Sequence, residues 1–132
     1  MAPKKILLAE DDADDVEFFL DFISTRKDIK LVSVIDNGED VFNSLSEISK
    51  SGSLPDLILL DQNMPRLNGL QTLQKLKNNN AFANIPVFIY STYTDDLLRN
   101  KSGHAGALQV FPKPYTQEGY NNMVNTMLQM VE

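Results

Sequence analysis

The segment that most constrains this chain is Asp56-Leu-Ile-Leu-Leu-Asp61, an unbroken aliphatic run closed at both ends by carboxylates. A strand that is apolar on both faces needs both faces covered, as in a parallel sheet flanked by helices. Similar short runs appear at Lys4–Glu10 and Pro86–Ser91, with a more alternating one at Leu31–Ile35. A last one follows Gly106 and Ala107 through Phe111, where Pro112 and Pro114 should stop it.

Between these runs the apolar residues recur at helical spacing. Asp12 can cap a helix with Asp14 and Asp15 in its positive first turn, and Val16, Phe19, Leu20 and Ile23 then share one face. Val41, Leu45 and Ile48 carry a second helix, ending before the loop Ser51-Gly52-Ser53-Leu54-Pro55. Leu70, Leu73 and Leu76 carry a third, and Thr94-Asp95-Asp96 opens a fourth. Tyr120, Met123, Val124, Met127, Leu128 and Val131 form one stripe on a fifth, best read as core. Strand and helix thus alternate about five times, which predicts an α/β fold in a single domain over residues 1–132 with no linker or repeat.

Composition removes several functions. There is no cysteine and one histidine, His104, so disulfides, thiolate metal sites and zinc sites are not expected. With 12 Lys plus Arg against 18 Asp plus Glu, the net charge is −6, and no basic cluster offers a nucleic-acid surface. No apolar run approaches the ~20 residues of a membrane span, and Met1–Lys5 does not read as a signal peptide, so a cytoplasmic location is expected.

In open parallel sheets, functional groups gather at the carboxyl ends of the strands. Here those ends carry Glu10 and Asp11, then Asp61, then Ser91, and Lys113 follows the last strand. Singly, each has a plain reading as a cap, a loop residue or a solvated charge. Together they favour a site. Carboxylates converging there repel by on the order of several kcal/mol per close pair. A divalent cation with oxygen ligands relieves that repulsion, and Mg²⁺ suits few carboxylates plus phosphate oxygens. With Ser91 and Lys113 as donors, the set could neutralise a phosphoryl group carried by Asp61 as nucleophile.

With these residues in place, the chain resembles the response-regulator receiver domains of two-component signalling over essentially its whole length. The acidic pair matches Glu10-Asp11, the phosphoacceptor Asp61, the hydroxyl position Ser91 and the lysine Lys113, with Met64-Pro65 and Gly69 completing the signature. The resemblance implies a flavodoxin-like (βα)5 three-layer sandwich with strand order 2-1-3-4-5. It implies Mg²⁺ held by Glu10, Asp11, Asp61 and the backbone carbonyl of Asn63, and a candidate cis peptide at Lys113–Pro114. It also implies a histidine kinase or histidine phosphotransfer protein as donor, self-directed catalysis only, a phosphorylation-biased protein surface, and room for a phosphorylation-dependent dimer.

Some positions depart from the family pattern. Val110 stands where an aromatic switch is usual, leaving Tyr90, Tyr93 or Phe111 to read any movement of Ser91. Thr92 and Tyr93 are expected to restrict access to Asp61. Two rivals remain: a phosphorylation-independent pseudo-receiver, and an aspartate-nucleophile phosphatase. The phosphatase would want a second aspartate where Asn63 stands. No glycine-rich phosphate loop supports a nucleotide binder.

Overall fold

The computed structural model describes residues 2–132. Five strands, β1 (Lys4–Ala9), β2 (Ile29–Ile35), β3 (Leu57–Asp61), β4 (Val87–Ser91) and β5 (Gln109–Pro112), alternate with five helices. The helices are α1 (Ala13–Ile23), α2 (Gly38–Lys50), α3 (Gly69–Lys77), α4 (Asp96–Ala105) and α5 (Gln117–Met130). All strand pairs are parallel, in the order β2-β1-β3-β4-β5. This is the flavodoxin-like sandwich that the sequence predicts. Winding reverses between β1 and β3, so the loops leaving those two strands diverge and open a crevice at their carboxyl ends.

Alternation along the strands divides the core between two faces. Ile6, Leu8, Leu57, Leu59, Phe88 and Tyr90 pack with Phe19 and Phe22 of α1 and with Tyr120 and Met123 of α5. Leu7, Ala9, Ile58, Leu60, Val87 and Ile89 pack with Val41 and Leu45 of α2 and Leu73 and Leu76 of α3. Every residue of β3 and β4 is buried, as unbroken aliphatic runs require. The helices start where their caps dictate: Asp12, Asn37, Asn68, Asp95 and Thr116 each accept backbone N–H bonds from the first turn.

Four details differ from the sequence reading. β1 ends at Ala9, although the Glu10 N–H still donates to the Ile35 carbonyl at 2.8 Å. β2 begins at Ile29 rather than Leu31. On α1 the buried pair is Phe19 and Phe22, whereas Leu20 is 45% exposed. The aromatic rings prevail because they meet Tyr120 of α5, with centroids 5.7 Å away from Phe19 and 6.1 Å from Phe22. Finally, Lys113–Pro114 is not cis, and no cis peptide occurs among the described residues. Among the described residues, no helix is long and apolar enough to cross a membrane.

Candidate functional site

Alternation that buries Ile6 and Leu8 beside α1 and α5 carries on to Glu10, and the same phase along β3 carries Leu57 and Leu59 on to Asp61. Both carboxylates therefore reach the crevice from the same side of the sheet, and both residues are only 1% exposed. Asp11, exposed in the loop after β1, completes an acidic group: one oxygen of each of Glu10, Asp11 and Asp61 lies within 4.8 Å of the others. The loop after β5 brings in Lys113, anchored by its own N–H to the Ser91 carbonyl at 2.9 Å.

The Lys113 ammonium spends itself on three carboxylates, with Nζ 2.9 Å from Glu10 Oε1, 2.9 Å from Asp15 Oδ2 and 3.2 Å from Asp61 Oδ2. Glu10 Oε1 also accepts the Tyr90 hydroxyl at 2.6 Å, and Oε2 accepts the Asp12 N–H at 3.1 Å. Asp61 Oδ1 accepts the Asn63 N–H at 3.2 Å. Ser91 is buried at the last position of β4.

These contacts set the charges. Burial, and after it the neighbouring Glu10, push the Asp61 carboxyl up to about 7. Burial would raise Glu10 as well, but hydrogen bonds with Asp61, Tyr90 and Lys113 hold it below the usual carboxylate range. Burial works against the Lys113 charge, yet the bonds to Glu10 and Asp15 outweigh it and raise the ammonium above its ordinary value. Burial and the Glu10 charge keep the Tyr90 phenol protonated. The two buried acids thus share a single ammonium with Asp15, and the exposed Asp11 adds a third carboxylate to their group without a share of it. That negative, all-oxygen donor set fits a hard divalent cation such as Mg²⁺.

The loop after β3 turns sharply and starts α3 close beside Asp61. Its carbonyl at Pro65 accepts the Leu67 N–H at 2.8 Å in a γ-turn centred on Arg66, whose φ is 69°. At Gly69 a Cβ would sit 2.8 Å from the Asp61 carbonyl oxygen, so only glycine lets α3 begin so near the aspartate.

The structure thus brings Glu10, Asp11, Asp61, Asn63 and Lys113 together, with Ser91 at the adjoining strand end. It also adds two residues. Asp15, read from the sequence as a helix-dipole residue, binds Lys113. The spacing Asp15, Phe19, Phe22 was the available signal, because i, i+4, i+7 places it over the buried face. Tyr90, paired in register with Asp61, binds Glu10. Thr92 and Tyr93, the residues expected to restrict access to Asp61, are both exposed, Tyr93 by 74%, while Asp61 itself is buried. His104 is exposed on α4.

Comparison with known proteins bears on the family and the fold. The family model for the response regulator receiver domain matches residues 6–125. The nitrate/nitrite response regulator protein NarL of Escherichia coli K12 is 36% identical over 96 residues, covering 73% of this chain and 42% of that protein. The probable C4-dicarboxylate response regulator DctR of Bacillus subtilis is 31% identical over 114 residues, covering 86% of this chain and 47% of its own length. The chain therefore spans less than half the length of these curated relatives. Among solved structures, the phosphorylated cyanobacterial phytochrome response regulator RcpA superposes with a TM-score of 0.81 at 25% identity, covering 96% of this chain and 91% of that one. The Mn²⁺-bound form of response regulator Rcp1 gives 0.79 at 26% identity, covering 95% and 91%. From the order of its strands to the acids at their ends, the chain belongs to the response regulator receiver domain family of two-component signalling.

Proposed function

We propose that Asp61 accepts a phosphoryl group from a phosphohistidine of a sensor kinase or histidine phosphotransfer protein, and that the phosphorylated chain signals through a protein–protein surface. The observation that carries this reading is the buried Asp61 carboxylate, 3.2 Å from the Lys113 ammonium and clustered with Glu10 and Asp11 at the crevice of the sheet. An oxygen of Asp61 attacks phosphorus, the phosphorus–nitrogen bond to the imidazole breaks, and the histidine leaves with its electron pair and takes up a proton. Glu10, Asp11, Asp61 and the Asn63 carbonyl would hold Mg²⁺, which supplies neutralisation of the phosphoryl charge. Lys113 turns one N–H from Asp61 to a phosphoryl oxygen, and the Ser91 hydroxyl, at the end of β4, donates to another. Positioning and charge compensation are all that the transfer asks of the protein.

The phosphorylated state of RcpA and the metal-bound state of Rcp1 support this reading. The catalysis is self-directed, acylation of Asp61 and its later hydrolysis, and belongs in the cytoplasm with the donor kinase. Intact mass after incubation with phosphoramidate tests it. One added phosphoryl group that needs both Mg²⁺ and Asp61, and so is lost in Asp61→Asn, is the expected result. No adduct, together with no Mg²⁺-dependent binding of beryllofluoride, overturns it in favour of a phosphorylation-independent interaction module.

A further inference from the structure

Tyr90 carries a hydroxyl that packing does not require. Its ring lies in the core between the sheet and helices α1 and α5, where phenylalanine would fill the same space. Yet the hydroxyl reaches across the sheet to Glu10 Oε1 at 2.6 Å, with both side chains buried and the residues 80 positions apart. A glutamate has one more rotatable bond than an aspartate, so its carboxylate must be restrained from several directions to serve a fixed geometry. Besides its acidic neighbour Asp61, three donors restrain this one: Tyr90, Lys113 and the Asp12 N–H. Lys113 is shared with Asp15 and Asp61 and has a further part to play once Asp61 is modified. The Asp12 N–H belongs to the same loop as Glu10 itself. Tyr90 alone of the three reaches Glu10 from a central strand, beside its register partner Asp61.

We propose that Tyr90 is a positioning residue of the acidic site: its hydroxyl fixes the Glu10 carboxylate in the orientation that keeps an oxygen within 4.8 Å of those of Asp11 and Asp61, ready to ligate a divalent cation. This rests on the reading of that cluster as the cation site. Partners that orient a metal ligand commonly govern affinity by about ten- to a hundredfold. The role is therefore measurable without any phosphoryl chemistry.

The test is a titration of wild type, Tyr90→Phe, Glu10→Asp and the double variant with Mn²⁺ alone, counting free ion by electron paramagnetic resonance. Tyr90→Phe should weaken Mn²⁺ binding about tenfold while keeping the ring and hence the fold. Glu10→Asp shortens the acid beyond reach of the phenol, so adding Tyr90→Phe to it should cost less than about twofold. Wild-type affinity in Tyr90→Phe overturns the proposal. So does an undiminished loss in the Glu10→Asp background, which would mean that Tyr90 acts through packing. A wild type that takes up no Mn²⁺ overturns the cation reading and this inference with it, an outcome visible before any variant is compared.

Discussion

At the scale of single residues, the site is a problem of too many acids for one ammonium. In the metal-free protein the fold favours a proton on Asp61, whose carboxyl sits near 7 against an ordinary value of 3.8. A group raised in this way stabilises the fold fully below its unfolded value and loses that contribution as the pH rises through about 7. Asparagine has no charge to bury. Asp61→Asn should therefore be more stable than wild type by about 1–3 kcal/mol at pH 8.5 with chelator present, and the gap should narrow by roughly half toward pH 5.5, as read by urea unfolding. Asp15 gives a second prediction. Its carboxylate holds Lys113 without belonging to the acidic cluster. Asp15→Ala should leave the lysine poorly aimed and slow phosphorylation by a small donor about tenfold, measured by the time course of intact mass. Mg²⁺ affinity should stay within about twofold of wild type.

At the scale of elements, the strands were the most legible features and the contacts between distant side chains the least. Asp56–Asp61 announces β3 because four aliphatic residues in a row tolerate only a covered strand. The alternation of Glu10 with Ile6 and Leu8, and of Asp61 with Leu57 and Leu59, already points both acids to one side. The face of α1 was legible only in part, since Leu20 and Phe22 compete for burial and the rings of α5 decide between them. That same misphasing concealed Asp15, which lies above Phe19 and Phe22. Tyr90 was hidden for another reason: its partner is 80 residues away, and only strand register brings the two together. Local chemistry gives predictions here too. Asp12 accepts N–H bonds from Asp14 and Asp15, so Asp12→Ala should cost about 1 kcal/mol in urea unfolding. Gly69→Ala forces a methyl to within 2.8 Å of the Asp61 carbonyl and should cost about 1–3 kcal/mol.

At the scale of the whole molecule, the two core clusters cover opposite faces of one sheet, and the acidic site lies at its carboxyl edge. Helix, sheet and loop all contribute to that edge: α1 supplies Asp15, β3 and β4 supply Asp61 and Tyr90, and the loop after β5 supplies Lys113. A cation bound there should raise the stability of the whole fold by about 2.7 kcal/mol when present at a hundred times its dissociation constant. The urea midpoint measured with and without Mg²⁺ checks this, and Asp61→Asn should lose most of the gain.

The pairing of β1 with β3 has a consequence in time as well as in space. Glu10 and Asp61 stand 51 positions apart, with one strand and two helices threaded between them, and they meet only after the two central strands have joined. A chain still closing that loop has no cradle to offer a cation. Mg²⁺ should accordingly leave the refolding rate nearly unchanged and slow unfolding instead, so that only one limb of the chevron moves and the ion acts as a latch on an assembled protein.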